Sequence, residues 1–476
     1  RYGELYFRPR GVWPAGSMVT LYDRGTNKPL GQIPQPSETY QVIGFMNEYQ
    51  VAIGETTFGG IPELIDSTAI VDYGSLMFLA LQRSKTAREA IKVMAELVEQ
   101  YGYASDGESF SIGDPNEVWV FEMMAKRTNL KYDKKTKKNI NVDKGAVWVA
   151  VRIPDGYISS HANQARIQTF PLEDLKTSIT NKNFHLLNNP EVEVIYSHDV
   201  ISYAKEKGYY KGDDKDFSFS DVYNPITFDG ARFCDARVWA FFNHVNDDMG
   251  KYWEYAKGFD LKNRMPLYIK PNRKLTPQDL QSFKRDYLQG TELDMSKDAG
   301  AGPHALPYRW RPLNYKIDDK TYFHERVTAT QQTGFSFVAQ MRSWLPNPIG
   351  GIFWFGVDDA SSTVYVPIYC AISKVPESYA EGNGDMLKFS PTAAFWVFSR
   401  VAHFAYYRYD IVMQDIRKVQ AELESKFAKF TPAIDAAALK LREADPALAV
   451  EFLTDYSVNT ANATVKRWDD LSNWLL

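Results

Sequence analysis

Three short segments of the sequence combine polar side chains with glycines or with the ends of predicted strands. They are residues 47–60 (NEYQVAIGETTFGG), 158–167 (ISSHANQARI) and 231–244 (ARFCDARVWAFFNH). In the first segment, a strand that ends in small hydroxyl residues and glycines can direct backbone N–H groups at a ligand. A tight turn that leaves a sheet explains the same pattern, and from the pattern alone the turn is the better interpretation.

The second segment places six hydrogen-bonding side chains directly after a predicted buried strand. Asn163 has the chemistry to donate to a developing oxyanion, and Arg166 has the chemistry to hold a carboxylate. Polar clusters after strands are usually surface loops, so both interpretations stay open at this point. His161 has no partner serine or cysteine at a recognised spacing, and a structural role explains it equally well.

The two cysteines are poor candidates for a nucleophile. Cys234 lies inside a predicted helix beside Asp235, and an acidic neighbour raises a thiol pKa. Cys370 follows a strand rich in Tyr and Ile. Both are predicted to be small core residues, so the sequence offers no convincing nucleophile of its own.

Composition excludes several classes of function. The 476 residues carry 55 basic and 59 acidic side chains, for a net charge of −4, so no positive field is available for a nucleic acid. The densest basic run, residues 131–144, is interrupted by two aspartates and is predicted to be a solvated loop. No window approaches the ~20 apolar residues of a membrane span, so no membrane partner is expected. Seven histidines without a ligand-like spacing indicate no metal site, and no motif indicates a cofactor.

The elements that must position these segments are of two kinds. Period-two alternation predicts strands, and period 3.6 predicts helices. Strands are predicted within 39–57 and over 109–112, 117–124, 146–153, 335–342, 351–357 and 363–369. Helices are predicted over 72–82 and 86–101 and from 276 onward. Long helices are predicted from 390 to about 430 and through the last stretch of the chain to 476. Thr86 and Glu89 form a capping box, and Gly102 ends that helix. Grouped antiparallel strands with separate helices indicate an α+β fold rather than a doubly wound one.

Taken together, the segments resemble the cysteine dipeptidases of peptidase family C69, within the N-terminal-nucleophile (Ntn) hydrolases that include penicillin V acylase and bile salt hydrolase. The resemblance runs from Tyr2 to the C-terminus and combines the first segment with seven further stretches. These are DYGSLMFLALQRSKTAREAI, SHANQARI, DARVWAFFN, KDAGAGP, ATQQTGFSFVAQMR, FWFGVDDA and FLTDYSVNTA. Each stretch alone is weak, but the combination is highly specific.

The resemblance implies a four-layer αββα sandwich over residues 1–385, lacking its first strand, with residues 386–476 as a helical C-terminal extension packed on that core. It also implies that the nucleophile is a cysteine at the start of the mature chain, whose own α-amino group serves as the base. An α-amine with a pKa of about 8 suits that task near neutral pH. Residue 1 is Arg, so the cysteine is expected upstream of Arg1.

By position, the resemblance assigns two halves of an oxyanion hole to the backbone N–H of Thr56 and the side chain of Asn163. It assigns to Arg237 the lowering of the thiol pKa, and to Glu55 and Arg166 the termini of the substrate. Small peptides are the implied substrates, without a cofactor or metal, and the implied assembly is a homo-oligomer; bacterial members include exported ones. An amidase for other small amides and an inactive scaffold remain the alternatives.

Overall fold

The computed structural model describes residues 2–23, 25–309 and 314–476. Its strands are β1 Phe7–Arg8, β2 Gly11–Val12, β3 Met18–Tyr22, β4 Pro29–Pro34, β5 Glu38–Thr39, β6 Val42–Ile43, β7 Met46–Asn47, β8 Ala52–Thr57, β9 Glu108–Gly113, β10 Val118–Ala125, β11 Leu130–Asp133, β12 Lys138–Asn141, β13 Ala146–Ile153, β14 Ile158–Ser159, β15 Ser178–Thr180, β16 Val194–Tyr196, β17 Tyr268–Ile269, β18 Asn314–Ile317, β19 Lys320–Phe323, β20 Phe335–Gln340, β21 Ile352–Val357 and β22 Val366–Tyr369.

The α-helices are α1 Tyr73–Leu81, α2 Ala87–Tyr101, α3 Val200–Glu206, α4 Phe219–Tyr223, α5 Ala236–Val245, α6 Trp253–Ala256, α7 Pro277–Phe283, α8 Asn347–Gly350, α9 Ala394–Tyr407, α10 Tyr409–Ala444 and α11 Pro446–Leu475. A π-helical turn, Gly230–Asp235, precedes α5. Strands and helices of this kind confirm the predicted α+β class, including the long C-terminal helices. Among the described residues, no helix combines the length and the apolar character needed to cross a bilayer.

The chain divides into two compact units, which we call the N-terminal unit and the C-terminal unit. The N-terminal unit contains the described residues of Arg10–Tyr40 and Val51–Asn272. The C-terminal unit contains those of Arg1–Pro9, Gln41–Gln50 and Arg273–Leu476. The predicted boundary at residue 385 stays a prediction.

The N-terminal unit is built on a sheet in the order β8, β9, β10, β13, β16, β15. The pairs from β8 to β16 are antiparallel, and β15 runs parallel to β16. The central strands β9, β10 and β13 confirm the predicted meander. Thr86 caps α2 by accepting a hydrogen bond from the Glu89 N–H, and Gly102 ends it, as predicted. The Glu89 carboxylate accepts from the N–H of Lys85 instead of that of Thr86, so only half of the predicted capping box forms.

The two faces of this sheet have different environments, because successive side chains of a strand point to opposite sides. One face carries the packed rings of Phe110, Phe121 and Trp148, and α2 lies against its strands. The opposite face carries Val120 and Val149, which belong to a core with Ala165 and Ile167. By the strand register, Glu55, Thr57 and Glu108 share the first face, whereas Thr56, Ser109, Ser111 and Glu122 share the second.

The C-terminal unit combines the antiparallel sheet β20, β21, β22 with the helices α9, α10 and α11. The helix α11 packs on β22, where the Ser457 hydroxyl accepts a hydrogen bond from the Tyr369 N–H at 3.3 Å. The helix predicted from 390 to about 430 is interrupted at Arg408, whose φ of −147° and ψ of 64° separate α9 from α10. The helical period continues across this break, so the sequence pattern does not reveal it.

The basic run at residues 131–144, predicted to be a loop, contains the mostly exposed antiparallel hairpin of β11 and β12. Its charged side chains obscure the strand alternation because neither face of the hairpin needs to be apolar.

Candidate active site

The end of strand β8 is the foundation of the candidate site. Phe58 N–H donates to the Gly107 carbonyl at 2.8 Å. In an antiparallel ladder, hydrogen-bonded positions recur at every second residue, so the Thr56 N–H points toward Ser109, its register partner. The backbone groups of Glu55 and Thr57 therefore point to the other side of the strand. The backbone of Thr57 is directed toward the loop that contains Asn163.

Asn163 is held at both ends of its side-chain amide. Its Nδ2 donates to the Thr57 carbonyl at 2.6 Å, and its Oδ1 accepts from Arg237 Nη2 at 2.9 Å. Its φ of 62° is left-handed, a conformation that asparagine tolerates better than most residues. An amide nitrogen carries two hydrogens, so one remains after the Thr57 bond. The amide is therefore fixed in orientation and retains a donor for a ligand.

Arg237 connects this loop to the first turn of α5. Its Nε donates to the Phe233 carbonyl at 3.0 Å, and its Nη2 also reaches the Ala162 carbonyl at 3.1 Å. Phe233 belongs to the π-helical turn that precedes the helix, a local geometry that is frequent at functional sites. The sequence predicted a single helix here, and the extra residue of the π-turn is what sequence periodicity could not show. The guanidinium thus brings positive charge to the Asn163 loop.

His161 links two hydroxyl groups on the second face of the sheet. Its Nδ1 lies 2.7 Å from Thr56 Oγ1, and its Nε2 lies 2.7 Å from Ser111 Oγ. A neutral imidazole donates through one nitrogen and accepts through the other, and hydroxyl groups can serve either need. Ser111 is the partner that sequence spacing could not reveal, because the register of β8 and β9 brings it beside Thr56. His161 therefore anchors the Asn163 loop to the sheet.

Arg166 lies behind the site and is only 2% exposed. Its guanidinium donates to the carbonyls of Ser160 at 2.7 Å and Pro266 at 2.8 Å, and its Nε lies 3.5 Å from Asp235 Oδ1. These contacts favour a positioning role within the protein. Its expected contact with a substrate terminus stays a prediction.

Glu122 fixes the backbone of the same loop. It is completely buried and accepts from the N–H groups of Arg166 at 2.6 Å and Ile167 at 3.0 Å. The Ser109 hydroxyl donates to it at 3.3 Å. Burial raises the pKa of Glu122 to about 7, although the two N–H donors and the nearby Arg166 act in the opposite direction. A buried carboxyl group therefore holds the chain three residues beyond Asn163.

Glu55 and Glu108 form an acidic pair on the first face of the sheet. The Thr57 hydroxyl donates to Glu108 Oε2 at 3.0 Å, and the carboxyl of Glu55 lies against that of Glu108. Burial and this neighbour raise the pKa of Glu108 to about 10. Glu55 was singled out from the sequence, whereas Glu108 was missed because its partners are 53 and 51 residues away and are brought to it by strand register.

The structure therefore brings together Thr56, Asn163 and Arg237, with Glu55 close by across Thr57, and leaves Arg166 buried behind them. Of the two cysteines, Cys234 is partly buried and Cys370 is buried. Burial raises the pKa of the Cys370 thiol to about 12, which disfavours the thiolate. Within the described ranges, no cluster of three or more His, Cys, Asp or Glu side chains is arranged to hold a metal ion.

The chain belongs to peptidase family C69, whose sequence model matches residues 14–422, and this match confirms the resemblance seen in the motifs. It is similar to a probable dipeptidase of Latilactobacillus sakei, with 24% identity over 80% of this chain and 66% of that protein. It is also similar to a probable dipeptidase of Salmonella dublin, with 24% identity over 66% of this chain and 59% of the relative. Dipeptidase A of Lactobacillus helveticus is 21% identical over 73% of this chain and 58% of its own length. The chain thus spans about three fifths of the length of these relatives.

Proposed function

We propose that this chain is the body of a dipeptidase that cleaves the amide bond of small peptides with an N-terminal cysteine located upstream of Arg1. The observation that carries the proposal is the amide of Asn163, which is fixed between the Thr57 carbonyl and Arg237 and keeps one N–H available. Membership of family C69 and the similarity to proteins named dipeptidases support the peptide substrate. The four-layer Ntn sandwich and a homo-oligomeric assembly are part of this proposal.

In the proposed reaction, the α-amino group of the cysteine takes the thiol proton, and the thiolate attacks the carbonyl carbon of the peptide bond. The carbonyl electron pair moves to oxygen, and Asn163 Nδ2 donates a hydrogen bond to the resulting oxyanion. The α-ammonium group then protonates the leaving amine, which leaves a thioester. Water, deprotonated by the same amine, hydrolyses the thioester and regenerates the thiol.

The second oxyanion donor is proposed to come from the Thr56–Thr57 backbone. The resemblance assigns it to the Thr56 N–H, but the alternation of hydrogen bonds between β8 and β9 directs that group into the sheet toward Ser109. The N–H of Thr57 points to the side of the strand on which Asn163 lies. This geometry favours Thr57 as the donor and Thr56 as the residue that fixes the strand end through His161.

Arg237 is proposed to support the reaction in two ways. Its hydrogen bond to Oδ1 orients Asn163 so that Nδ2 faces away from the helix. Its positive charge near the oxyanion donor would also stabilise a nearby thiolate and lower the thiol pKa. Glu55 is proposed to bind a terminus of the substrate.

The test is the substitution Asn163→Ala in the full-length natural protein, assayed on a panel of dipeptides. We expect kcat to fall ~100-fold or more, since one oxyanion donor is lost, while the far-ultraviolet circular dichroism is preserved. Asn116→Ala is the matched control, because Asn116 is exposed in the turn between β9 and β10 and its substitution should leave kcat unchanged. An unaltered kcat in Asn163→Ala would contradict the proposal, and turnover of acyl-penicillin or bile-acid amides without dipeptide cleavage would indicate a different amidase.

A further inference from the structure

The acidic pair Glu55–Glu108 contains a buried carboxyl oxygen that has no hydrogen-bond donor in the described part of the chain. Glu108 is 0% exposed, and although Thr57 donates to its Oε2, no hydrogen-bond donor among the described residues reaches its Oε1. Instead, the carboxyl of Glu55 lies against it. A buried carboxyl oxygen without a donor is costly, so this arrangement needs a reason.

The charges nearest the pair are also acidic. Glu55 and Asp106 both act to raise the pKa of Glu108. The neighbouring phenol of Tyr103 has its pKa raised by burial and by Glu108, Glu55 and Asp72. Near neutral pH the Glu108 carboxyl therefore keeps its proton, and its neighbours Glu55 and Asp106 are both acidic side chains. The missing complement at this position is one small cationic hydrogen-bond donor.

Thr57 connects the acidic pair to Asn163, the proposed oxyanion donor. The Thr57 hydroxyl binds Glu108 at 3.0 Å, and the carbonyl of the same residue binds Asn163 at 2.6 Å. In a dipeptide, the α-ammonium nitrogen and the oxygen of the scissile carbonyl belong to the same residue and lie roughly 3 to 4 Å apart, from standard bond lengths. An enzyme that recognises a free amino terminus must therefore place its anion beside its oxyanion hole.

We propose that Glu55 and Glu108 form the subsite for the α-ammonium group of the peptide's N-terminal residue. The inference rests on the proposed dipeptidase function and names its substrate class: short peptides with a free, protonated amino terminus. The ammonium group donates to Glu55 and to the Glu108 oxygen that lacks a donor, and its positive charge offsets the acidic side chains around it. Peptides with an acylated amino terminus are excluded, because an amide offers neither the charge nor the three donors.

The test compares Ala-Ala with N-acetyl-Ala-Ala as substrates of the full-length natural protein. We expect Glu55→Gln and Glu108→Gln each to lower kcat/KM for Ala-Ala by about 10- to 100-fold, mainly through KM, which is the range for a hydrogen bond to a charged group. The ratio of kcat/KM for Ala-Ala to kcat/KM for N-acetyl-Ala-Ala should decrease by the same factor. Glu96→Gln is the matched control, since it removes one carboxylate from an exposed position of α2 and should change neither value.

A purely structural pair gives a different result. If Glu55 and Glu108 only hold β8 and β9 together, both substitutions lower the thermal midpoint and reduce the turnover of the two peptides equally, and that outcome overturns the inference. Glu55 is only partly buried, so Glu55→Gln remains informative if Glu108→Gln does not fold.

Failure of the dipeptidase function itself is recognised separately. A wild-type protein that cleaves neither peptide contradicts the proposed function. Calorimetric titration with Ala-Ala then still decides the subsite. Binding that is lost in Glu55→Gln but retained in Glu96→Gln supports the inference, and the absence of binding, or equal binding by both variants, overturns it.

Discussion

Glu122 is the residue through which pH should act on the candidate site. Its pKa of about 7 compares with an ordinary value of 4.5. Between these two pH values the folded protein keeps a proton that the unfolded chain has released, so the free energy of unfolding falls as pH rises. The full difference corresponds to about 3 kcal/mol, of which about 2 to 3 kcal/mol is lost between pH 5 and pH 8.

The substitution Glu122→Gln removes this titration. The amide keeps one acceptor oxygen, but its NH₂ group faces one of the two N–H donors of Arg166 and Ile167, which costs about 1 to 3 kcal/mol at every pH. We therefore expect the variant to be less stable than wild type at pH 5 and to recover about 2 to 3 kcal/mol relative to it by pH 8. Because every other titrating group is common to both proteins, the difference isolates Glu122.

The assay is urea unfolding of both proteins at several pH values from 5 to 8, with Glu96→Gln as the control. The control should follow the wild-type pH dependence, since Glu96 is exposed. Parallel curves of unfolding free energy against pH for wild type and Glu122→Gln would contradict the raised pKa of Glu122. At the same pH values, kcat for dipeptides should be lower in Glu122→Gln than in wild type, because the loop that carries Asn163 loses a fixed hydrogen bond.

Two further predictions concern the C-terminal unit. Arg342→Met should lower the free energy of unfolding by about 3 to 5 kcal/mol, because it leaves buried Asp435 with the Tyr369 hydroxyl but without its guanidinium partner. In urea unfolding, the double variant Arg342→Met/Asp435→Leu should recover part of the loss, since the carbonyls of Ile349 and Gly350 still lack their donor. No recovery at all would contradict the importance of the buried charge. Cys370 should resist iodoacetamide at pH 8 in the folded protein and react after unfolding in urea, because burial raises the pKa of its thiol to about 12. Peptide mass spectrometry detects the alkylation. Alkylation of Cys370 in the native protein would argue against that burial.

Local sequence patterns predicted much of the sheet and the helix starts. The strands β9, β10 and β13 and the cap of α2 follow from alternation and from Thr86, Glu89 and Gly102, which are signals carried by neighbouring residues. The same kind of pattern marked the loop around Asn163 as polar. Features that depend only on the order of nearby side chains could therefore be predicted from the sequence.

Features created by strand register could not be predicted from the sequence. His161 meets Ser111, and Glu55 meets Glu108, only because β8 and β9 pair with Thr56 opposite Ser109. Burial was equally invisible for Arg166, because the carbonyl groups that surround it come from loops far apart in the chain. Polar residues of one loop look alike in sequence, and the fold decides which face a ligand and which support the backbone.

The proposed dependence of catalysis on an N-terminal cysteine can be measured at the amino terminus of the active, full-length natural protein. The measurement is mass spectrometry of that terminus before and after inactivation by iodoacetamide. We predict a mature chain that begins with a cysteine upstream of Arg1 and carries the label in proportion to the loss of dipeptide hydrolysis. A mature chain that begins with another residue, or inactivation without label on its first residue, would rule out an N-terminal cysteine as the nucleophile.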